Sequence, residues 1–262
     1  MSLEKVRMSV EELALVLSLA GENEMGRFLI EAHLGEMQPQ EIDTKLHTAA
    51  HSLLARGWIN MTDKLEFELS GNMEKTIAVL VDAEFTLQYR RSFEEGEYLL
   101  SYHFYDNEFY KHSIEWGVVH QLSYAGSVEK VLQGGIDFFE LDNQKPFRTE
   151  ELRIPYNEFE EFSEIEEEDS IVNKLCAAGA TEKMSDLLAE DLLHTRFRGG
   201  ILRIEYPEGE EPKSDFGLLT LQGPDRLWLL RIEDDHGEAM LNIMPGSKKV
   251  FREEVKSLIQ SE

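Results

Sequence analysis

The sequence predicts an α+β fold: a duplicated unit with pseudo-two-fold character, its mostly antiparallel sheet flanked by helices, preceded by an N-terminal helical segment. Three observations predict it. A helical stretch at Met73–Ala83 running into extended residues from Phe85 is echoed, about 120 residues on, by Met184–His194 running into Gly200–Tyr206. Each copy then gives several strand-like runs separated by tight turn signals. Each closes with a Gly-Ser pair opening a helix, at Gly126-Ser127 and Gly246-Ser247. The echo implies a single domain made of two halves, about 40–141 and 170–262, joined by an acidic connector over 142–169.

The elements follow in order. Ser9 with Glu12 three residues later forms a capping box, and Leu13, Val16, Leu17 and Ala20 supply the apolar stripe of a first helix that stops at Gly21. A second helix covers Glu24–Leu34, ended by Gly35. A third runs from Pro39, suited to a first turn, to Arg56, with Ile42, Leu46, Ala49, Ala50, Leu53 and Leu54 on one face. Leu65, Phe67 and Leu69 then alternate with charged residues as a short strand. Strands follow at Phe85–Arg91, Tyr98–Tyr105, Phe109–Trp116 and Val118–Tyr124, with turns at Glu94–Gly96 and Asp106-Asn107, and a helix at Ser127–Phe139.

The segment Asp142–Asp169 has the least regular pattern, and eight of the twelve residues from Glu158 to Asp169 are acidic. Helices at Ser170–Ala178 and Thr181–His194 precede strands at Phe197–Tyr206, Phe216–Gln222, Arg226–Glu233 and Ala239–Met244. A final helix spans Ser247–Ile259. The polar stretch Pro207–Asp215 is longer than a tight turn needs, and such loops on a rigid sheet often carry binding.

A chain of 262 residues, 42% hydrophobic, can bury a substantial core. Its 26 Lys and Arg against 52 Asp and Glu give a net charge of −26, which repels phosphate backbones and anionic lipid. The same field suits a basic or amphipathic partner and favours solubility. Three helices followed by an extended piece also fit a winged helix, but the third helix offers only Lys45 and Arg56, offset by Glu41 and Asp43. Nucleic acid is therefore not the expected partner. The single cysteine, Cys176, rules out an intrachain disulfide and reads as a small buried thiol. No signal-peptide pattern opens the chain and no apolar stretch nears the ~20 residues of a membrane span, so the expected location is cytoplasmic, with no membrane contact.

Motifs that carry chemistry are sparse. His47 and His51 stand one helical turn apart, without the Glu of a zinc-protease helix. His103, His112 and His120 fall on successive strands and could converge on a metal, although packing and surface roles are commoner for such residues. Trp116 and Trp228 read as core aromatics, with an exposed partner anchor as the alternative. Nothing specifies a reaction, so the expectation is no catalytic residue, no cofactor and no metal.

Leu53-Leu-Ala-Arg-Gly-Trp-Ile59, the helix at Met73–Ala83, the strand Phe85-Thr-Leu-Gln-Tyr89, and the hairpin Trp228–Met244 leading to Pro245 and a last helix together resemble the EspG family of type VII (ESX) secretion-associated proteins. That resemblance implies a pseudo-two-fold sheet flanked by helical bundles and a cytosolic chaperone of secreted helical substrates. The expected function is accordingly a non-enzymatic binding protein for a helical secreted substrate. The alternatives are an acidic immunity or antitoxin-like protein neutralising a basic toxin, and a winged-helix regulator. Residues expected to meet a protein partner are Glu208, Glu210, Glu211 and Lys213 of the long loop, with Phe159 and Phe162 of the acidic run.

Overall fold

The structure, a computed structural model, describes residues 5–93, 96–145, 147–162, 165–207 and 211–260. In chain order the elements are β1 (Val6–Ser9), α1 (Val10–Leu19), α2 (Asn23–Leu34), α3 (Pro39–Ala55), β2 (Ile59–Met61), β3 (Phe67–Leu69), α4 (Gly71–Val81), β4 (Phe85–Phe93), β5 (Gly96–Tyr105), β6 (Glu108–Glu115) and β7 (Val119–Gly126). They continue as α5 (Val128–Phe138), β8 (Leu152–Pro155), α6 (Tyr156–Phe162), α7 (Glu168–Ala177), α8 (Glu182–Leu193), β9 (Phe197–Glu205), β10 (Lys213–Gln222), β11 (Leu227–Asp235), β12 (Glu238–Pro245) and α9 (Lys248–Gln260). The α+β class expected from the sequence is the class found.

The chain forms two compact units. The first is the chain up to Thr86 together with Leu100–Ser127; the second is Leu87–Leu99 with the chain from Val128 onward. In the first, β1, β7, β6 and β5 lie side by side in that order, each pair antiparallel. Ser9 caps α1 by accepting from the Glu12 backbone N–H, and the Glu12 carboxylate accepts from the Ser9 N–H in return. Leu13, Val16 and Leu17 of α1 close a core with Val6 and Met8 of β1, Ala50 and Leu53 of α3, and Met73 and Ile77 of α4. At Gly26 a β-carbon would stand 2.7 Å from the Ala14 carbonyl, so glycine is what lets α2 lie so close to α1.

In the second unit the strand order is β4, β9, β10, β11, β12, β8. Trp228 and Leu230 of β11 enter a core with Ile171 and Leu175 of α7 and Met184 and Leu188 of α8. Leu227 and Leu229 alternate to the opposite face and are also buried, so this strand is covered on both sides. Gly135 of α5 is held by the same kind of constraint as Gly26: its β-carbon would meet the Phe251 ring of α9 at 2.7 Å and the Tyr89 ring of β4 at 2.8 Å. The order helix, four strands, helix occurs as α4 to α5 and again as α8 to α9. Within this unit β4 lies beside β9, and α5 packs on α9, each pair occupying matching places in that order.

Several expectations require correction. Within the acidic stretch 142–169 lie β8 and α6, because Leu152, Ile154 and Phe162 point into the core while the carboxylates between them stay outside or half-exposed. Trp116 does not belong to a strand. It and Gly117 have φ of 53° and 71° and form the centre of a turn closed by the Val118 N–H donating to the Glu115 carbonyl at 3.2 Å. Trp116 is 80% exposed, whereas Trp228 is fully buried, so the two tryptophans read alike in sequence have opposite roles. Cys176 is exposed rather than buried; its Sγ lies 3.2 Å from Ser185 Oγ.

Candidate functional site

The second unit contains a groove floored by strands and walled by a short helix. Arg198 and Gly199 of β9, Leu219, Thr220 and Leu221 of β10, and Leu230 of β11 supply the floor; Tyr156, Phe159 and Glu160 of α6 supply the wall. Tyr156 and Phe159 reach the same side because residues three apart on a helix share a face. Phe162, one turn further on, is 1% exposed and fixes α6 to the core. Gly199 cannot be replaced without moving backbone, since a β-carbon there would lie 2.0 Å from the Arg90 carbonyl of β4.

The cavity measures about 180 Å³. Small-molecule sites run from ~300 to ~1,000 Å³, so this groove fits one bulky apolar side chain better than a metabolite. Its polar features are sparse and specific. Thr220 and Gly199 edge it with backbone, because they alternate to the opposite face of the sheet from Leu219, Leu221 and Arg198. Hydrogen bonding to the Glu160 carboxylate, with burial, holds the Tyr156 phenol above its usual range. An arriving side chain thus meets an apolar socket bordered by one cation, Arg198, and one carboxylate, Glu160.

Of the residues expected from the sequence to meet a partner, Phe159 lines this groove and Phe162 lies beneath it in the core. Glu211 precedes β10 and Lys213 opens it; both are exposed, and Lys213 is six residues from Leu219 and so about 20 Å along the strand. Glu208 and Glu210 lie outside the described residues. The groove brings Phe159 together with Arg198 and Leu219, which sequence reasoning missed; its wall, α6, is separated from the three consecutive floor strands by α7 and α8. His47 and His51 are both exposed on α3.

The strand histidines of the first unit do meet, but in single file rather than around a point. Thr86 Oγ1 is 2.8 Å from His103 Nδ1, His103 Nε2 is 3.3 Å from His112 Nδ1, and His112 Nε2 is 2.9 Å from His120 Nδ1. Cross-strand pairing explains the row. Ser101 of β5 faces His112, and Ile114 of β6 faces His120, so the three rings step across one side of the sheet. Burial pushes the His103 imidazole down to about 4; burial and the preceding histidine push His112 to about 3, and burial with His112 and His33 puts His120 at about 3. All three are neutral at pH 7. Among the described residues no group of three or more His, Cys, Asp or Glu is arranged to hold a metal ion.

No helix among the described residues is long and apolar enough to cross a membrane. No curated protein matches the chain. Among solved structures it is similar to that of the Mycobacterium tuberculosis type VII secretion system chaperone EspG5 in complex with the PE25-PPE41 dimer, with a TM-score of 0.70 at 12% identity over 97% of this chain and 95% of that one. At that identity the likeness establishes a shared fold. A family model described as uncharacterised protein YfjC matches residues 5–255, and the chain therefore belongs to the YfjC family.

Proposed function

We propose that this protein is a non-enzymatic binding protein that holds a helical partner, in the manner of a chaperone for a secretion substrate. The observation that carries the reading is the groove walled by Tyr156 and Phe159: its 180 Å³ matches one large side chain, and Arg198 and Glu160 flank it. An amphipathic helix presents such a side chain every turn and docks by inserting it. A fold shared along nearly its whole length with a secretion chaperone supports the same reading. We also read the repeated order of helix, four strands and helix as an internal duplication within one domain, the second copy carrying the floor of the groove and the segment between the copies its wall.

A second reading, neutralisation of a basic toxin, is favoured by the net charge of −26. Affinity capture in the native host, comparing the wild-type chain with Phe159→Asp, separates the two. The chaperone reading expects a helical secretion substrate that is recovered with wild type and lost with the variant. Recovery of a basic toxin to the same extent with both proteins supports the second reading and contradicts the first. Specific recovery of DNA contradicts both.

A further inference from the structure

The file of imidazoles in the first unit has a chemical direction. The Gly117 carbonyl, 3.0 Å from His33 Nδ1, can only accept, so His33 carries its proton on Nδ1. Two proton arrangements satisfy the file itself. If each ring is protonated on Nε2, the file ends in a buried His120 N–H that has no partner among the described residues. If each is protonated on Nδ1, His120 donates to His112, His112 to His103 and His103 to Thr86, and the file ends in a bare Nε2 lone pair on His120. An orphaned buried N–H costs more than an unused lone pair, so the second arrangement prevails. The His33 ring stands edge-on to that end, 5.4 Å between centroids and 83° between planes.

We propose that the row His103–His112–His120 is a proton-operated latch that holds β5, β6 and β7 together and, through His33, keeps α2 on the turn that presents Trp116. Proton balance dictates how it opens. A first proton adds to the His120 Nε2 lone pair; every N–H···N bond survives, and a cation now lies inside the fold beside His33. A second proton cannot be placed without setting two N–H groups against each other in a gap occupied by one hydrogen, for example His112 Nε2–H against His120 Nδ1–H. That gap of 2.9 Å must then open. Opening therefore takes up at least two protons.

Among the described residues no carboxylate acts on these three rings. On the elements packed around the file, β1 sets Met8 opposite His120, β5 sets Ser101 opposite His112, and α2 contributes His33. Glu12 of α1 is engaged by Arg56 and the Ser9 backbone, and Glu115 at the turn by Arg7. The sign follows from the folded values of about 4, 3 and 3, all below the ordinary 6.5: stability is complete above pH 6.5 and is lost as pH falls from there towards 4.

The test is hydrogen–deuterium exchange of the full chain between pH 7.5 and 4.5, corrected for the intrinsic pH dependence of exchange. The latch predicts that the opening constant of peptides from β6, β7 and α2 rises roughly 100-fold per pH unit below 6.5, the slope for two protons. Peptides from α7 and α8 do not follow. His112→Asn, which cannot take up a proton, flattens the slope. Side-chain nitrogen shifts of the wild-type imidazoles, which need no variant, place the resting proton of all three rings on Nδ1. A slope of one proton or less, or three rings titrating independently near 6.5, overturns the proposal.

Discussion

Replacing Asp191 with alanine tests the account of the second unit's core. Asp191, at the end of α8, is fully buried and accepts three N–H groups: Trp228 Nε1 at 2.8 Å, Arg226 Nε at 2.7 Å and Arg226 Nη2 at 3.1 Å. It also occupies the space that a side chain at residue 223 would need, since a β-carbon on Gly223 would lie 1.8 Å from its Oδ1. Alanine leaves the buried Trp228 N–H without an acceptor, about 1–3 kcal/mol. Arg226, its side chain 13% exposed, keeps Glu190 but loses its buried partner, and breaking such a pair brings the total to about 3–5 kcal/mol. Against a domain stability of roughly 5–15 kcal/mol that is a large share. Urea unfolding followed by tryptophan fluorescence reads it. In a Trp228→Phe background, where the indole donor is already gone, Asp191→Ala costs about 1–3 kcal/mol less. A loss under about 1 kcal/mol, or no coupling between the two changes, refutes the reasoning.

Three further outcomes follow from the same geometry. Gly199→Ala forces β9 away from the Arg90 carbonyl and lowers the unfolding midpoint in urea, whereas Gly200→Ala, whose β-carbon would meet its nearest atom at 3.2 Å, costs distinctly less. Trp116→Gly removes a side chain from a left-handed backbone position and raises stability by up to about 1 kcal/mol, measured by denaturant unfolding; a loss would mean that the exposed ring is needed for folding. Phe162→Ala empties a core site and costs about 3–5 kcal/mol, while the half-buried Phe159 can be cut to alanine for much less, a contrast that thermal unfolding resolves.

Much of the fold was readable because helix signals are local. The Ser9–Glu12 box and the Gly35 stop mark ends that depend on a few neighbouring side chains, and α1 and α2 begin and finish where those residues require. The strands of both meanders were found through alternation, with boundaries within a few residues. What composition hid was β8 and α6, where only Leu152, Ile154 and Phe162 among many acids record that the segment is packed. The two tryptophans were indistinguishable because the difference lies in backbone sign at Trp116, a property of the turn rather than of the residue. The histidines on successive strands were visible as candidates; register alone decided that they form a file instead of a cluster. The groove had no sequence signature, since it depends on where β9, β10, β11 and α6 come together.

The central claim is that the wall formed by Tyr156 and Phe159 grips a helical protein partner. A photo-crosslinking amino acid placed at position 159, expressed in the native host and compared with one at the exposed position 47 of α3, measures it directly. The account predicts an adduct at 159 to an apolar face of one helical secretion substrate, absent at 47. Equal adducts at both positions, or an adduct at 159 only to a basic toxin, would contradict it.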